Sequence, residues 1–156
     1  MAYKVFISHS TCDQGLVMYL ARLLQKFGVD AFVAEWYLTP GEPLDKKIEG
    51  QIRSSDCVVV LLTRNGIRST WVQQEIGYSL GQGKPIIPIV EKGIDSKVLG
   101  ALEAREYIEY DPRQYDDAIN KLVRYVESIK LKKGKETLLV LGALLAFLLL
   151  ISGRSK

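Results

Sequence analysis

Short apolar runs alternate along the chain with segments whose apolar residues recur at helical spacing. Five runs predict β-strands, because each is too short for a typical helix and most are rich in β-branched or aromatic side chains; they cover residues 3–8, 29–35, 57–63, 85–90 and 106–110. Four intervening segments each place apolar residues on one helical face: Leu16, Tyr19, Leu20, Leu23, Leu24 and Phe27; Leu44, Ile48 and Ile52; Val72, Ile76 and Leu80; Ile119, Leu122, Val123 and Val126. Gly28 follows the first of these segments and predicts its C-terminal stop.

The alternation of strand and helix indicates an α/β fold with a parallel sheet covered on both faces. Right-handed crossovers leave few arrangements, and we expect a flavodoxin-like, five-stranded sheet in the order 2-1-3-4-5. Ligands of such sheets bind beyond the carboxyl ends of the strands, at the point where the winding reverses, which here lies between strands 1 and 3.

Polar residues follow both of these strands. Ser8, His9, Ser10 and Thr11 come after strand 1, and residues 64–66 come after strand 3. We expect His9, Ser10 and Thr11 to contact a ligand there. Asp13 is predicted to be the N-cap of the first helix. The helix that carries Glu75 begins a few residues after strand 3, so the topology places this carboxylate near the same crevice.

The sequence lacks the motifs of several common protein classes. The chain contains neither GxxxxGK[ST] nor GxGxxG, which are the usual nucleotide-phosphate loops. No nucleophile elbow is present, so the Ser8–His9–Ser10 triplet is a weak indication of a serine hydrolase. A response-regulator receiver is excluded, because no acidic residues follow strand 1 and no Asp follows strand 3. A single histidine and two cysteines without metal-site spacing predict no metal and free thiols.

Positive charge is concentrated at the carboxyl end. The net charge is +3, whereas residues 128–156 contain six cations and one Glu, so the rest of the chain is weakly acidic and predicts no nucleic-acid binding. Residues 137–152 are free of charge, and we interpret residues 137–153 as a transmembrane tail anchor. Residues 128–136 would form a basic juxtamembrane linker, and the domain, residues 1–127, would lie in the cytoplasm because flanking cations favour that side. An oligomer-forming helix is the alternative. The amino end carries no signal-peptide pattern.

Four segments in order resemble a Toll/interleukin-receptor (TIR) domain of the bacterial and archaeal type: VFISHS at 5–10, DAFVAEWYLTPGEPL at 30–44, SSDCVVVLLTRNGIRSTWVQQEIG at 54–77 and KPIIPIV at 84–90. The resemblance covers residues 3 to about 127 and includes a W-x-x-x-E pair, Trp71 and Glu75. It implies the same five-stranded fold. It also implies cleavage of NAD+ at the nicotinamide–ribose bond, with Glu75 catalytic, NAD+ as substrate and no cofactor.

The loop at residues 36–43 carries two aromatic side chains and a Pro-Gly turn signal. We expect Trp36, Tyr37, Leu38 and Gly41 to contact the substrate, since aromatic faces stack on nicotinamide or adenine. The resemblance implies that this loop also docks on a neighbouring TIR domain and completes the site, so that assembly activates the enzyme in stress or antiviral signalling. Family members often have Asp where this chain has Ala34, and a lost acidic contact would change substrate binding.

One carboxylate is sufficient for this chemistry. Thr70 and Gln73 have capping-box spacing, which predicts a helix from Trp71 and places Trp71 and Glu75 on one face. Ordinary glycosidases need a second carboxylate as acid, but nicotinamide in NAD+ is already a cation and departs neutral. The alternatives are a non-catalytic TIR adaptor that acts through TIR–TIR contacts and a nucleoside-transferase-like enzyme with a single Glu.

Overall fold

The computed structural model describes residues 2–34, 40–41 and 44–152. Nine elements follow in chain order: β1 Tyr3–Ser8, α1 Gln14–Lys26, β2 Val29–Phe32, α2 Leu44–Ser54, β3 Cys57–Leu62, α3 Thr70–Gly81, β4 Ile86–Glu91, β5 Ile108–Tyr110 and α4 Tyr115–Ser152. Short 3-10 helices lie at Thr11–Asp13, Gly66–Arg68 and Ser96–Leu102. None of the three was predicted from the sequence, and the last is interrupted at Gly100, whose φ is 58°.

The five strands form one parallel sheet in the order β2-β1-β3-β4-β5, which confirms the predicted α/β topology. β1 lies between β2 and β3, with Val5 opposite both Ala31 and Cys57. The reversal of winding therefore falls between β1 and β3, as predicted. β5 is shorter than expected and begins at Ile108 rather than at residue 106.

The core lies on both faces of β3, whose six residues are all buried. On one face, Phe6 and alternate β3 residues pack with α2 and α3; this cluster comprises Phe6, Ile48, Ile52, Val58, Val60, Leu62, Val72, Ile76, Ile86, Val90, Leu99 and Leu102. α1 buries Val17, Leu20, Ala21 and Leu24. The helix ends as predicted, and Gly28 follows it at a φ of 70°, a conformation that glycine adopts without steric cost.

The two cysteines have different environments. Both thiols are free, as predicted. Cys57 is buried at the start of β3, where burial raises the pKa of its thiol to about 11. Cys12 is exposed in the turn that follows β1.

α3 begins one residue earlier than predicted. The Ser69 hydroxyl accepts a hydrogen bond from the Val72 N–H at 3.3 Å, so the cap is Ser69 rather than Thr70, and the helix starts at Thr70. The sequence offers Ser69 and Thr70 as consecutive capping residues, and the backbone takes the first. The face shared by Trp71 and Glu75 is unaffected, because their spacing of four residues is unchanged.

The loops after β1 and β3 are tied together by side chains. Asp13 occupies the N-cap position of α1, as predicted, but its carboxylate makes no cap hydrogen bond. It accepts instead from the Thr63 hydroxyl at 2.6 Å and from Asn65 Nδ2 at 3.2 Å. The Thr63 hydroxyl oxygen in turn accepts from the Gly66 N–H at 2.9 Å. This network fixes the loop that leads into α3.

A lysine holds the carboxyl end of α2. Lys84 Nζ donates to the main-chain oxygens of Arg53 at 2.6 Å and Ser55 at 2.7 Å. A cation is favoured at this end of a helix, where carbonyl groups lack helical partners. The contact attaches α2 to the turn between α3 and β4, and both helices lie over the same face of the sheet.

The chain divides into two compact units, Met1–Val123 and Arg124–Lys156. α4 runs without a break through the basic segment, and its apolar side chains from Leu138 to Leu150 are largely exposed. Within the described residues, no helix combines the length and the apolar character needed to cross a membrane.

The predicted transmembrane helix at residues 137–153 is therefore wrong. The uncharged run spans sixteen residues, or about 24 Å of helix at a rise of 1.5 Å per residue. A hydrocarbon core is about 30 Å thick. The expected membrane partner and the single-pass anchor rested on this helix and lose their support.

We expect Gly66→Ala to destabilise the fold by about 2 kcal/mol or more, since a Cβ at this position would lie 2.1 Å from the Leu61 carbonyl oxygen. Gly50→Ala is the matched control. It adds the same methyl group within α2, where nothing lies within 4 Å, and should stabilise the protein by about 1 kcal/mol. Urea unfolding followed by circular dichroism gives both values, and equal stabilities would contradict the prediction.

The Asp13–Thr63 hydrogen bond predicts a coupling free energy of about 1–2 kcal/mol in a double-mutant cycle of Asp13→Ala and Thr63→Val. Asp95→Ala with Thr63→Val serves as the control cycle, because the Asp95 carboxylate accepts from the Lys97 N–H instead. Additive effects in the first cycle would show that the tie between the two loops contributes nothing to stability.

Candidate active site

An open groove lies between α2 and α3. Its cavity volume is about 60 Å³. That value is well below the roughly 300–1,000 Å³ typical of small-ligand sites. The described lining residues are Asp45, Ile48, Glu49, Ile52, Trp71, Gln74, Glu75 and Tyr78.

Glu75 is the most confined carboxylate of the groove. Its side chain is 7% exposed although it borders the groove. The Ser8 hydroxyl, at the end of β1, donates a hydrogen bond to Glu75 Oε2. The Ser79 hydroxyl donates to the Glu75 main-chain oxygen at 2.6 Å, one turn further along α3. Hydrogen bonding of this kind is what allows a buried carboxylate to exist at an acceptable free energy.

Trp71 lies one turn before Glu75 and also borders the groove, with 49% of its surface exposed. The rest of α3 buries Val72 and Ile76 against the sheet. Trp71 and Glu75 thus border the same groove, and their pairing at a ligand stays a prediction. A half-exposed indole in a groove presents an aromatic face to a ligand, which a core tryptophan would not do.

The groove is acidic on both walls. Asp45 and Glu49 contribute carboxylates from α2, and Glu75 contributes one from α3, while the described lining contains no Lys, Arg or His. Arg53 lies close by and donates to the Tyr78 hydroxyl at 3.1 Å, a hydrogen bond that raises the pKa of the guanidinium and bridges α2 to α3. The electrostatic field in the groove favours a cationic group.

The three residues predicted after β1 do not lie among the described lining residues of the groove. His9 is buried and its Nδ1 lies 3.1 Å from the Ile7 main-chain oxygen. The Ser10 hydroxyl caps the short helix that follows, accepting from the Cys12 N–H at 3.2 Å. Thr11 is exposed. Their substrate-binding role stays a prediction.

The structure describes only part of the loop at residues 36–43 that is predicted to contact the substrate. Trp36, Tyr37 and Leu38 lie outside the described residues. Gly41 is described and exposed, at a φ of 87°, which matches the turn expected from Pro-Gly. Ala34 packs at the margin of the core cluster.

A second crevice opens beside the loops after β1 and β3. Its lining includes Cys12, Asp13, Thr63, Glu91 and Tyr110. The carboxylates here are engaged in loop contacts, since Asp13 holds Thr63 and Glu91 accepts from the Arg64 N–H at 2.8 Å. The α2–α3 groove is the better candidate because it combines a buried carboxylate with an exposed aromatic face. Across the described residues, no group of three or more potential ligands could hold a metal ion.

Ser8 was missed by the sequence analysis as a site residue, although it begins the polar stretch after strand 1. The alternation of side chains along a strand could have identified it. Phe6 faces α2 and α3, so Ser8, two residues later, must face the same side, whereas His9 must not.

Comparison with known proteins extends this picture. The chain matches the family model for the TIR domain over residues 5–123. Two curated relatives are named 2' cyclic ADP-D-ribose synthases. AbTIR of Acinetobacter baumannii (strain 1295743) is 29% identical over 133 residues, covering 81% of this chain and 46% of the relative. BtTIR of Bacteroides thetaiotaomicron is 28% identical over 102 residues, covering 62% of this chain and 36% of the relative. The chain thus spans less than half the length of these relatives.

Two solved structures share the fold. The TIR domain of the Toll-related receptor TRR-2 from Hydra magnipapillata has a TM-score of 0.66 at 22% identity, covering 78% of this chain and 96% of that one. The Clostridium botulinum CMP N-glycosidase BcmB has a TM-score of 0.59 at 18% identity, covering 78% and 98%. The sheet order, the groove and the family match over residues 5–123 lead to one conclusion: the chain belongs to the TIR domain family.

Proposed function

We propose that this chain cleaves NAD+ between nicotinamide and ribose, with Glu75 as the catalytic carboxylate. The observation that carries the proposal is the position of Glu75: it is buried, accepts a hydrogen bond from Ser8, and lines the same groove as the half-exposed Trp71. The names of the two curated relatives support the same activity.

The bond cleaved is the N-glycosidic bond from ribose C1′ to the pyridinium nitrogen. When it breaks, the electron pair moves to the ring nitrogen, nicotinamide leaves as a neutral molecule, and positive charge develops on the ribose. Glu75 stabilises this oxocarbenium-like ribose electrostatically. Attack by water or by a substrate hydroxyl forms the new C1′–O bond and releases a proton.

The charge of the groove supports a cationic substrate group. Asp45 and Glu49 face the groove with Glu75, so the pyridinium ring enters a field of negative potential. The exposed face of Trp71 adds a cation–π contact of about 0.5–2 kcal/mol. Both contributions weaken once the ring becomes neutral nicotinamide, which favours release of that product.

The product is either ADP-ribose or a cyclic form. Water as the attacking group gives ADP-ribose, whereas a hydroxyl of the substrate gives a cyclic product. Because both curated relatives are named as 2' cyclic ADP-D-ribose synthases, we propose the 2' cyclic product as the first to be sought by chromatography.

Glu75→Gln should reduce nicotinamide release from NAD+ by about 100-fold or more, because it removes the charge that stabilises the developing cation. Nicotinamide is measured by liquid chromatography. Glu103→Gln makes the same charge change at an exposed position and should retain full activity. A folded Glu75→Gln protein with wild-type turnover would contradict the assignment.

We further propose that the site is completed by another TIR domain. The described walls of the groove are two helices on one side of the sheet, and a cavity volume of about 60 Å³ is too small to enclose a dinucleotide. We propose that the remaining wall of the site is formed by residues 36–43 together with a neighbouring copy of the domain.

Specific activity should therefore rise with protein concentration across a hundredfold dilution series. The physical reason is mass action, since a site shared between two copies exists only in the associated state. Nicotinamide release per milligram is measured beside the sedimentation coefficient of the same samples. A constant specific activity while the sedimentation coefficient changes would show that each domain works alone.

Two other functions remain distinguishable by their products. A TIR adaptor that acts only through TIR–TIR contacts would release no nicotinamide at any concentration. An N-glycosidase of the nucleoside-transferase type would release a free base from a nucleoside or nucleotide, a possibility that the fold shared with BcmB keeps open. Incubation with NAD+ and, separately, with CMP separates the three.

A further inference from the structure

We propose that Ser8 is the positioning residue for Glu75: its hydroxyl fixes the orientation of the carboxylate and favours the ionised form. The proposal rests on the catalytic role proposed for Glu75. It adds a residue outside the groove on which the activity of that carboxylate depends.

Ser8 is located where a positioning group should be. It is the last residue of β1, opposite Val60 of β3, so its backbone lies in an interior strand of the five-stranded sheet. Its side chain is 0% exposed. The hydroxyl therefore has little freedom of its own, and little rotamer entropy is lost when it donates to Glu75 Oε2.

Glu75 needs such a partner because its side chain is long. A glutamate in a helix has three side-chain torsions and loses about 1.5–2 kcal/mol of rotamer entropy when fixed. One hydrogen bond from a rigid strand restricts the plane of the carboxylate. Loss of that restriction lowers the fraction of molecules in which the carboxylate faces the ribose, and hence kcat.

A hydroxyl also suits the electrostatics of the proposed reaction. A Lys or Arg at the position of Ser8 would form an ion pair with Glu75 and cancel the charge that the ribose cation requires. The Ser8 hydroxyl stabilises the carboxylate while leaving its charge in place. Removing it withdraws stabilisation from the ionised form, so the carboxyl group should titrate at higher pH.

Other titratable groups border Glu75 and stay unchanged in the comparison. Asp45 and Glu49 face it from α2, and Tyr78 lies one turn further along α3. His9 follows Ser8 at the end of β1. All four are common to the variants below, so differences between those variants isolate the serine hydroxyl.

Ser8→Ala and Ser79→Ala form a matched pair. Both serines are 0% exposed and both donate to Glu75, but Ser79 contacts its main-chain oxygen rather than its carboxylate. Ser8→Ala should lower kcat about 10- to 100-fold with little change in KM, and should move the acid limb of the pH–rate profile to higher pH. Ser79→Ala should change kcat less than about threefold. Equal kcat values for the two variants would overturn the proposal.

A second measurement needs no turnover. The carboxyl-carbon NMR signal of Glu75, assigned with Glu75→Gln, should titrate about one pH unit higher in Ser8→Ala than in the wild type and in Ser79→Ala. An unchanged midpoint overturns the role of Ser8, even if the wild type releases no nicotinamide and the proposed function fails. If Ser8→Ala does not fold, Ser8→Cys keeps the volume with a weaker donor and is read in the same way.

Discussion

The hydrogen bond from β1 to α3 is the contact on which the site depends. A carboxylate buried beside an apolar sheet loses its hydration, and that loss is tolerable only with a compensating donor. Ser8 supplies the donor from the buried carboxyl end of an interior strand, and Glu75 accepts the hydrogen bond from a helix that packs over the same face. The position of the Glu75 side chain therefore depends on three features together. These are the alternation of side chains along β1, the packing of α3 on the sheet, and the Asp13–Thr63 hydrogen bond that fixes the loop before α3.

The sheet and its order could be predicted because they follow from local patterning. Residues 57–62 are apolar throughout, and a run of this composition and length is typical of a strand buried on both faces. The predicted pairing of Trp71 with Glu75 needed only the helical repeat. Ser8 required one further step, the direction of alternate side chains along β1, and that direction becomes definite once Phe6 is known to face α2.

The unsuccessful predictions depended on choices that the sequence leaves open. Ser69 and Thr70 are both capable of capping α3. The backbone conformation of the loop after β3 determines which of them precedes the first helical residue. Asp13 is the N-cap residue of α1, yet its carboxylate accepts a hydrogen bond from Thr63, fifty residues away, instead of capping the helix. The uncharged run near the carboxyl end suggested a membrane span, whereas no described helix combines the length and the apolar character that a span requires. These three predictions failed because they were made from residue types, whereas the structure is decided by long-range contacts and by the length of the apolar segment.

The different exposures of the two cysteines make their labelling rates a measure of how often the sheet opens. Cys57 lies at the start of the central strand β3, where it is fully buried, so a thiol reagent reaches it only when the strand opens. Burial also raises the pKa of its thiol to about 11, so the closed form holds almost no reactive thiolate at neutral pH. Cys12 is exposed on the surface and reacts without any opening. The ratio of the two labelling rates in one sample is therefore a direct measure of how often the centre of this fold comes apart under native conditions.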